Sequence, residues 1–233
     1  MNKVVAVPVV FDGRPGYDIM VVDPTASVQD YLDALNGLIE QGLLWRSRNE
    51  TIMECLGCDR CCQERIPLTV VDLAVWEEAG RAGYFPSDLL PGAKLNLGEL
   101  LQNWCTVRVD GPVVDIMVRR DDLGRCHFLD PASRRCRIYA YRPLVCQTYI
   151  CCPVTSRAER LREVIVNCGE DELVRQWLTW SKKQNLPLII HEGEQPAVDP
   201  ADWPATVFAG KRLYQEVNLR DLCPASLWAQ LIR

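Results

Sequence analysis

The sequence contains little histidine and lacks the motifs that identify several large enzyme classes. Only two histidines occur among 233 residues, so we exclude a three-histidine zinc site and the two-histidine, one-carboxylate iron site. No G-x-G-x-x-G follows a predicted strand, and there is neither a P-loop nor a nucleophile elbow. The C-x3-C-x2-C spacing of radical enzymes that cleave S-adenosylmethionine is also absent. None of these signatures assigns an enzymatic activity to the chain.

Long apolar runs are missing as well. The best stretch, LPLIIH at 186–191, is far shorter than the roughly 18 to 20 apolar residues that a membrane-spanning helix needs. The first residues hold one lysine, a short apolar run interrupted by Pro8 and no small-residue cleavage site, so we expect no signal peptide. The net charge of -5 gives no reason to expect nucleic acid or an anionic membrane as a partner. We expect a cytoplasmic protein that binds neither.

Cysteine, in contrast, is abundant, with twelve residues in the chain. In a compartment that keeps thiols reduced, metal binding is a better explanation for them than disulfides. Four lie in the stretch CLGCDRCC, at Cys55, Cys58, Cys61 and Cys62. Two residues between cysteines let a tight turn direct both sulfurs to one metal centre, in zinc and iron–sulfur sites alike. With nearly three residues per turn, the first three share a face, and Cys62 reaches a neighbouring centre or packs beside it.

A second cysteine-rich stretch follows at 126–152, and it is also rich in arginine. It carries five cysteines, namely Cys126, Cys136, Cys146, Cys151 and Cys152. Together the two stretches supply more thiols than one four-coordinate centre uses, so two metals, or one metal with structural cysteines, are both open. Four thiolates around zinc or an oxidised four-iron cluster leave roughly two negative charges to be offset. Among the seven arginines between 119 and 142, we single out Arg142, beside Pro143, for this role.

Hydrophobic periodicity and turn residues predict an α+β fold, a single compact domain of short strands and helices around a cysteine-ligated metal site. Strands are predicted at 3–11 and 17–22, which form either a hairpin or two sequential strands, with a further hairpin at 105–120 and a strand at 186–191. Helices are predicted from Thr25, from Thr69, near 97–104, at 156–167 and 170–184, and after Pro224. We divide the chain into an N-terminal part (1–49), a cysteine-cluster domain (50–170) and a C-terminal helical extension (171–233).

The cysteine motifs resemble the YkgJ-type cysteine-cluster family of zinc- or iron-chelating domains. That family has C-x2-C-x2-C-C, then C-x-F/Y-L, then a cysteine leading into I-Y-x-x-R-P and another cysteine three residues later. The matching positions are Cys55, Cys58, Cys61, Cys62, Cys126, Cys136, Ile138, Tyr139, Arg142, Pro143 and Cys146. The resemblance implies metal chelation through about eight cysteines, the eighth being Cys151. Where the family continues with an arginine, this sequence has Gln147, so Cys152 and Cys168 compete with Cys151 for the last position.

These patterns favour an iron–sulfur protein, with a 4Fe-4S cluster as the preferred form, over the alternative of zinc. The triple spacing matches the first three cysteines of bacterial ferredoxins, although the fourth position differs and a ferredoxin fold is not supported. A flagellin lysine methylase with a similar cysteine pattern suggests cluster-dependent protein modification, beside electron transfer. The partner would then be a redox protein or a protein substrate. The alternative is a zinc-stapled structural or interaction module without catalytic activity.

Overall fold

The computed structural model describes residues 2–43, 59–85, 96–148, 152–194 and 199–233. Within these ranges the fold is α+β, as the sequence predicts. The strands are β1 (Val4–Phe11), β2 (Arg14–Val21), β3 (Cys105–Asp110), β4 (Val113–Val118), β5 (Leu129–Asp130), β6 (Arg135–Cys136) and β7 (Glu192–Gly193). The helices are α1 (Val28–Glu40), α2 (Val70–Arg81), α3 (Leu97–Trp104), α4 (Leu144–Thr148), α5 (Ser156–Gln184), α6 (Leu219–Leu222) and α7 (Ala225–Leu231).

Two antiparallel hairpins confirm the sequence prediction. β1 and β2 pair from Val4 opposite Val21 to Phe11 opposite Arg14, across a tight turn at residues 12–13. Asp12 and Gly13 both have positive φ (47° and 77°), as a two-residue turn that matches the right-handed twist of the strands requires. β3 and β4 form the second hairpin. β4 ends at Val118, and Arg120, two residues later, forms a bridge with Cys126 of the second cysteine-rich stretch.

Capping side chains define where the first two helices begin. Ser27 accepts a hydrogen bond from the Asp30 N–H, and the Asp30 carboxylate accepts one from the Ser27 N–H. Thr69 and Asp72 form the same reciprocal pair at the start of α2, which the sequence predicts. The buried residues of α1 follow helical spacing and face the core. These caps fix the register of both helices against the rest of the protein.

The prediction of two helices at 156–167 and 170–184 is wrong, because α5 is one helix of 29 residues. Gly169 lies inside it, and a Cβ at this position would come within 2.6 Å of the Thr69 Cγ2. The glycine therefore permits close approach to the start of α2 and does not end the helix. The helix ends at Asn185, whose φ of 52° is left-handed.

The predicted strand at 186–191 is also wrong. Only Glu192–Gly193 pairs with β3, in parallel orientation. His191 lies at the edge of β3, where its N–H donates to the Val107 carbonyl and its Nδ1 accepts from the Val107 N–H. The His191 side chain therefore occupies part of the β3 edge with which a longer strand would have paired.

One hydrophobic core connects side chains from all three predicted parts of the chain. α5 contributes to this core and crosses the predicted division at residue 170. The domain boundaries themselves stay a prediction. The end of the chain returns to the first hairpin, where Ile232 bridges Val21. In the ranges given above, no helix is both long and apolar enough to cross a membrane.

Candidate metal centre

The last two cysteines of the CLGCDRCC motif lie on a short 3-10 helix, Cys61–Gln63. The Cys62 N–H donates to the Asp59 carbonyl at 3.0 Å, which gives the three-residue turn that the spacing predicts. Two arginines hold this turn from either end. Arg134 donates to both oxygens of Asp59 (2.9 and 2.5 Å), and Arg120 donates from Nη2 to the Gln63 carbonyl at 2.7 Å. The turn is thus attached to the second cysteine-rich stretch.

Backbone pairing brings two further cysteines to this turn. The Cys126 N–H donates to the Cys62 carbonyl at 2.7 Å, so the two chain segments are in direct contact. Cys136 lies on β6, opposite Leu129 of β5. This small ladder folds residues 126–136 back on themselves, because the turn between the strands includes Arg134 with a φ of 54°. Residues that lie about ten apart in sequence therefore meet in one place.

Cys146 reaches the same place on α4, the five-residue helix that begins after Pro143. Arg142, four residues before Cys146, is held by hydrogen bonds from two of its nitrogens. Nη1 donates to the Tyr139 carbonyl at 2.8 Å, and Nη2 donates to Asn36 Oδ1 at 2.6 Å. The guanidinium carbon lies 4.1 Å from the centre of the Tyr139 ring, which is cation–π geometry.

These elements enclose a cavity of about 40 Å³. Its polar lining consists of sulfur atoms and one cation, and the remaining lining is largely apolar. The cysteines are Cys61, Cys62, Cys126, Cys136 and Cys146, and the cation is Arg142. The other lining residues are Ile66, Val118, Phe128, Ile138, Tyr139 and Pro143. Five thiols from four separate segments of the chain therefore face one space.

Burial and neighbouring thiols raise the pKa of three of these cysteines, Cys62, Cys136 and Cys146, and so favour their protonated form. A hydrogen bond shared with Cys126, together with burial, raises the pKa of Cys62 to about 12, although a hydrogen bond with Cys61 acts in the opposite direction. Burial raises the pKa of Cys136, and it raises that of Cys146 well above the usual range, with the neighbouring thiols adding to the effect. A thiolate in this cavity needs a positive partner, and a bound metal ion is the strongest one available to cysteine.

The hydrogen bonding of Arg142 indicates whether an anionic thiolate centre fits the cavity. Its Nε is buried and has no hydrogen-bond partner among the residues that the structure describes. A buried, unpaired N–H of a cation is costly unless an acceptor is supplied. Because the same side chain lines the cavity, thiolate sulfur is the acceptor that the geometry offers. The donor set and this unpaired group are both suited to a cysteine-ligated metal.

The cavity does not itself show a finished coordination sphere. In the described ranges, no three histidine, cysteine, aspartate or glutamate side chains are arranged to hold one ion. Two cysteines of the motif, Cys55 and Cys58, lie outside those ranges, as does Cys151. The metal-ligand assignment from the sequence therefore stays a prediction for all eight cysteines.

The two alternatives for the last ligand are both placed away from the cavity lining. Cys152 lies near Tyr17, where its charge is one of the causes that raise the pKa of that tyrosine to about 12. Cys168 is on α5, and its carbonyl accepts a hydrogen bond from Thr206 at 3.1 Å. Neither is among the described residues that line the cavity.

Sequence reasoning missed the residues that support the cavity from outside the motif. Asn36 binds Arg142, and its Nδ2 donates to Gln147 Oε1 at 3.2 Å. Asp72 and Trp76 of α2 hydrogen-bond to the backbone at Leu144 and Tyr141. The capping pattern at Thr69 marks Asp72 as a helix start, but no local signal indicates its second contact.

Comparison with known proteins agrees with this geometry. The family model CxxCxxCC, described as "Putative zinc- or iron-chelating domain", matches residues 54–169. The match covers every cysteine of the cavity and Arg142, and it supports binding of zinc or iron by this part of the chain. No curated protein and no solved structure gives a significant match.

Proposed function

We propose that this chain, which belongs to the CxxCxxCC family, is an iron–sulfur protein. It would act in electron transfer or in cluster-dependent modification of another protein. The observation that carries the proposal is the cavity, in which five cysteines and the unpaired Nε of Arg142 meet. Cysteines of this cavity, together with Cys55 and Cys58, would hold a 4Fe-4S cluster. When bound, the cluster would supply one-electron oxidation and reduction.

Three features support iron–sulfur over zinc. The C-x2-C-x2-C spacing ending at Cys61 matches the first three ligands of bacterial ferredoxins. The paired C-x2-C…C-x2-C arrangement of zinc ribbons is missing. The bridging sulfides of a cluster also add hydrogen-bond acceptors beyond the cysteine sulfurs, which suits the free donor of Arg142.

The protein's own residues would tune such a centre. The apolar side chains of Ile66, Val118 and Phe128 line the cavity and restrict water. Arg142 would offset part of the roughly two negative charges of the centre and donate to sulfur. Solvent exposure, net charge and hydrogen bonds to sulfur are the variables that set the reduction potential of these clusters.

The proposed site of action is the cytoplasm, with a protein redox partner or protein substrate and without nucleic acid or membrane. A compartment that keeps thiols reduced would leave the cysteines of the two motif stretches available to a metal.

A zinc-stapled structural module is the second candidate, and the convergence of four chain segments on the cavity favours it. Cys62 and Cys126 belong to the hydrophobic core, so an ion here would join four segments and contribute folding free energy.

The deciding experiment is to purify the protein without oxygen, record its visible spectrum and measure iron, sulfide and zinc. We expect broad brown absorption that bleaches on reduction, with about four iron and four sulfide per chain. Colourless protein with stoichiometric zinc would refute the iron–sulfur proposal and establish the second candidate.

A further inference from the structure

Asp72 is a buried carboxylate whose contacts extend beyond its helix. It is 2% exposed, and it is the third residue of α2. Its Oδ2 accepts from the N–H and Oγ1 of Thr69, at 2.8 and 2.9 Å, which is the ordinary capping role. Its Oδ1 points away from the helix and accepts from the Leu144 N–H at 2.8 Å and the Tyr214 hydroxyl at 2.5 Å. All four interactions satisfy one carboxylate.

Trp76 makes a second contact from the same helix to the same segment. It lies four residues after Asp72, so both side chains are on one face of α2. Its Nε1 donates to the Tyr141 carbonyl at 2.8 Å. The Asp72 carboxylate and the Trp76 N–H of α2 therefore fix the backbone on both sides of the Arg142–Pro143 pair.

The contact to Leu144 also begins the helix that carries Cys146. The first N–H groups of a helix have no partner within the helix, and a carboxylate at this end is favourable. Leu144 is the first residue of α4, and the Asp72 carboxylate caps it from another element. The orientation of Cys146, two residues later, depends on where this helix begins.

We propose that Asp72 is a positioning residue for the metal centre, holding residues 141–144 so that Arg142 and Cys146 both face the cysteine cavity. The inference rests on the proposed function only in that a metal occupies the cavity, and it holds for iron or zinc alike.

Residues outside the family match complete this support. Tyr214, beyond residue 169, donates to Asp72. Asn36, before residue 54, accepts from Arg142. The two flanking parts of the chain therefore reach the segment that presents Arg142 and Cys146.

The test compares Asp72→Asn with Tyr214→Phe and a matched control, Glu172→Gln. Glu172 is also a fully buried carboxylate, but its hydrogen bonds go to Arg175 and Thr206. In Asp72→Asn, an amide N–H₂ would face backbone N–H donors, and in Tyr214→Phe one of four donors is lost. Each protein is loaded with metal, and the rate of transfer to a chromophoric chelator is measured at a temperature where all variants stay folded.

We expect Asp72→Asn to release metal about 10- to 100-fold faster than the unmodified protein, as is typical for groups that orient ligands. Tyr214→Phe should show a smaller increase, and Glu172→Gln should stay close to the unmodified rate. Equal release from Asp72→Asn and Glu172→Gln, at matched stability, would overturn the inference.

A second measurement works without metal and separates this inference from the proposed function. In metal-free protein, alkylation of Cys146 followed by mass spectrometry should be faster in Asp72→Asn than in the unmodified chain. Cys223, half-buried and outside the cavity lining, should react at an unchanged rate. If the unmodified protein binds no metal, the proposed function fails, while an unchanged Cys146 rate would overturn the positioning role by itself.

Discussion

Replacing Arg142 with methionine should weaken metal binding at least as much as it weakens the metal-free fold. The arginine is half-buried and makes three contacts, to the Tyr139 carbonyl, the Tyr139 ring and Asn36. Its Nε has no partner in the described part of the chain. Methionine keeps an unbranched side chain that reaches about as far as the arginine Nε, and it removes every donor. The matched variant Arg142→Lys keeps the positive charge but not the planar set of N–H groups.

The expected magnitudes differ between the two forms of the protein. In metal-free protein, the two hydrogen bonds and the ring contact contribute about 1 kcal/mol each, and the buried unpaired Nε costs about 1–3 kcal/mol. These contributions largely cancel, so the free energy of unfolding should change by about 2 kcal/mol at most. In loaded protein, the lost charge-assisted hydrogen bond to sulfur adds about 2 kcal/mol. Metal affinity should therefore fall by about 30-fold.

The assay is competition with a chromophoric chelator for affinity, together with urea unfolding of the metal-free proteins. The affinity of Arg142→Lys should lie between those of the arginine and methionine proteins, since it keeps the charge and loses the geometry. An unchanged affinity in Arg142→Met would refute the reasoning, because the free donor would then not serve the centre.

Three further predictions concern the ligands, the pH dependence and the packing. Elemental analysis should show that Cys136→Ser loses metal, whereas Cys223→Ser keeps the full amount. Equal metal contents in the two variants would contradict the placement of the centre in the cavity. Burial, with nearby carboxylates adding to it, raises the pKa of Glu170 from 4.5 to about 7. The folded protein then holds this proton more tightly than the unfolded chain, so stability should fall as the pH rises from about 4.5 to about 7. Glu170→Gln should remove that fall and stabilise the protein at pH 8 but not at pH 4 in urea titrations, and equal effects at both pH values would be inconsistent with it. Gly169→Ala should destabilise the protein by about 1–3 kcal/mol in thermal unfolding, because the new methyl group would lie too close to Thr69. A stabilised variant, as is usual for alanine in place of glycine in a helix, would show that α5 and α2 can move apart.

Local patterns were sufficient for the elements that depend on local physics. The reciprocal cap at Thr69 and the alternation in the β3–β4 hairpin were readable because each depends on neighbours within a few residues. The convergence of Cys61, Cys126 and Cys146 followed from the family motif and not from periodicity. A cavity that gathers motif residues is what that resemblance implies.

Other features depend on contacts between distant residues, and the sequence could not reveal them. Gly169 resembles a helix end until its contact with Thr69 is known. LPLIIH has the composition of a strand, but the His191 ring occupies the edge where it would pair. The contact from Asp72 to Leu144 spans 72 positions, and no spacing rule links them. Such contacts are set by how helices pack, which propensity does not encode.

The contacts of Asn36 and Tyr214 bear on how a minimal fragment should be cut. A clone trimmed to residues 54–169 would keep every residue of the cysteine motifs yet leave Arg142 and Asp72 each short of one partner. Recombinant work on this chain should therefore use its full length, since a shortened version would present the same thiols on a looser frame.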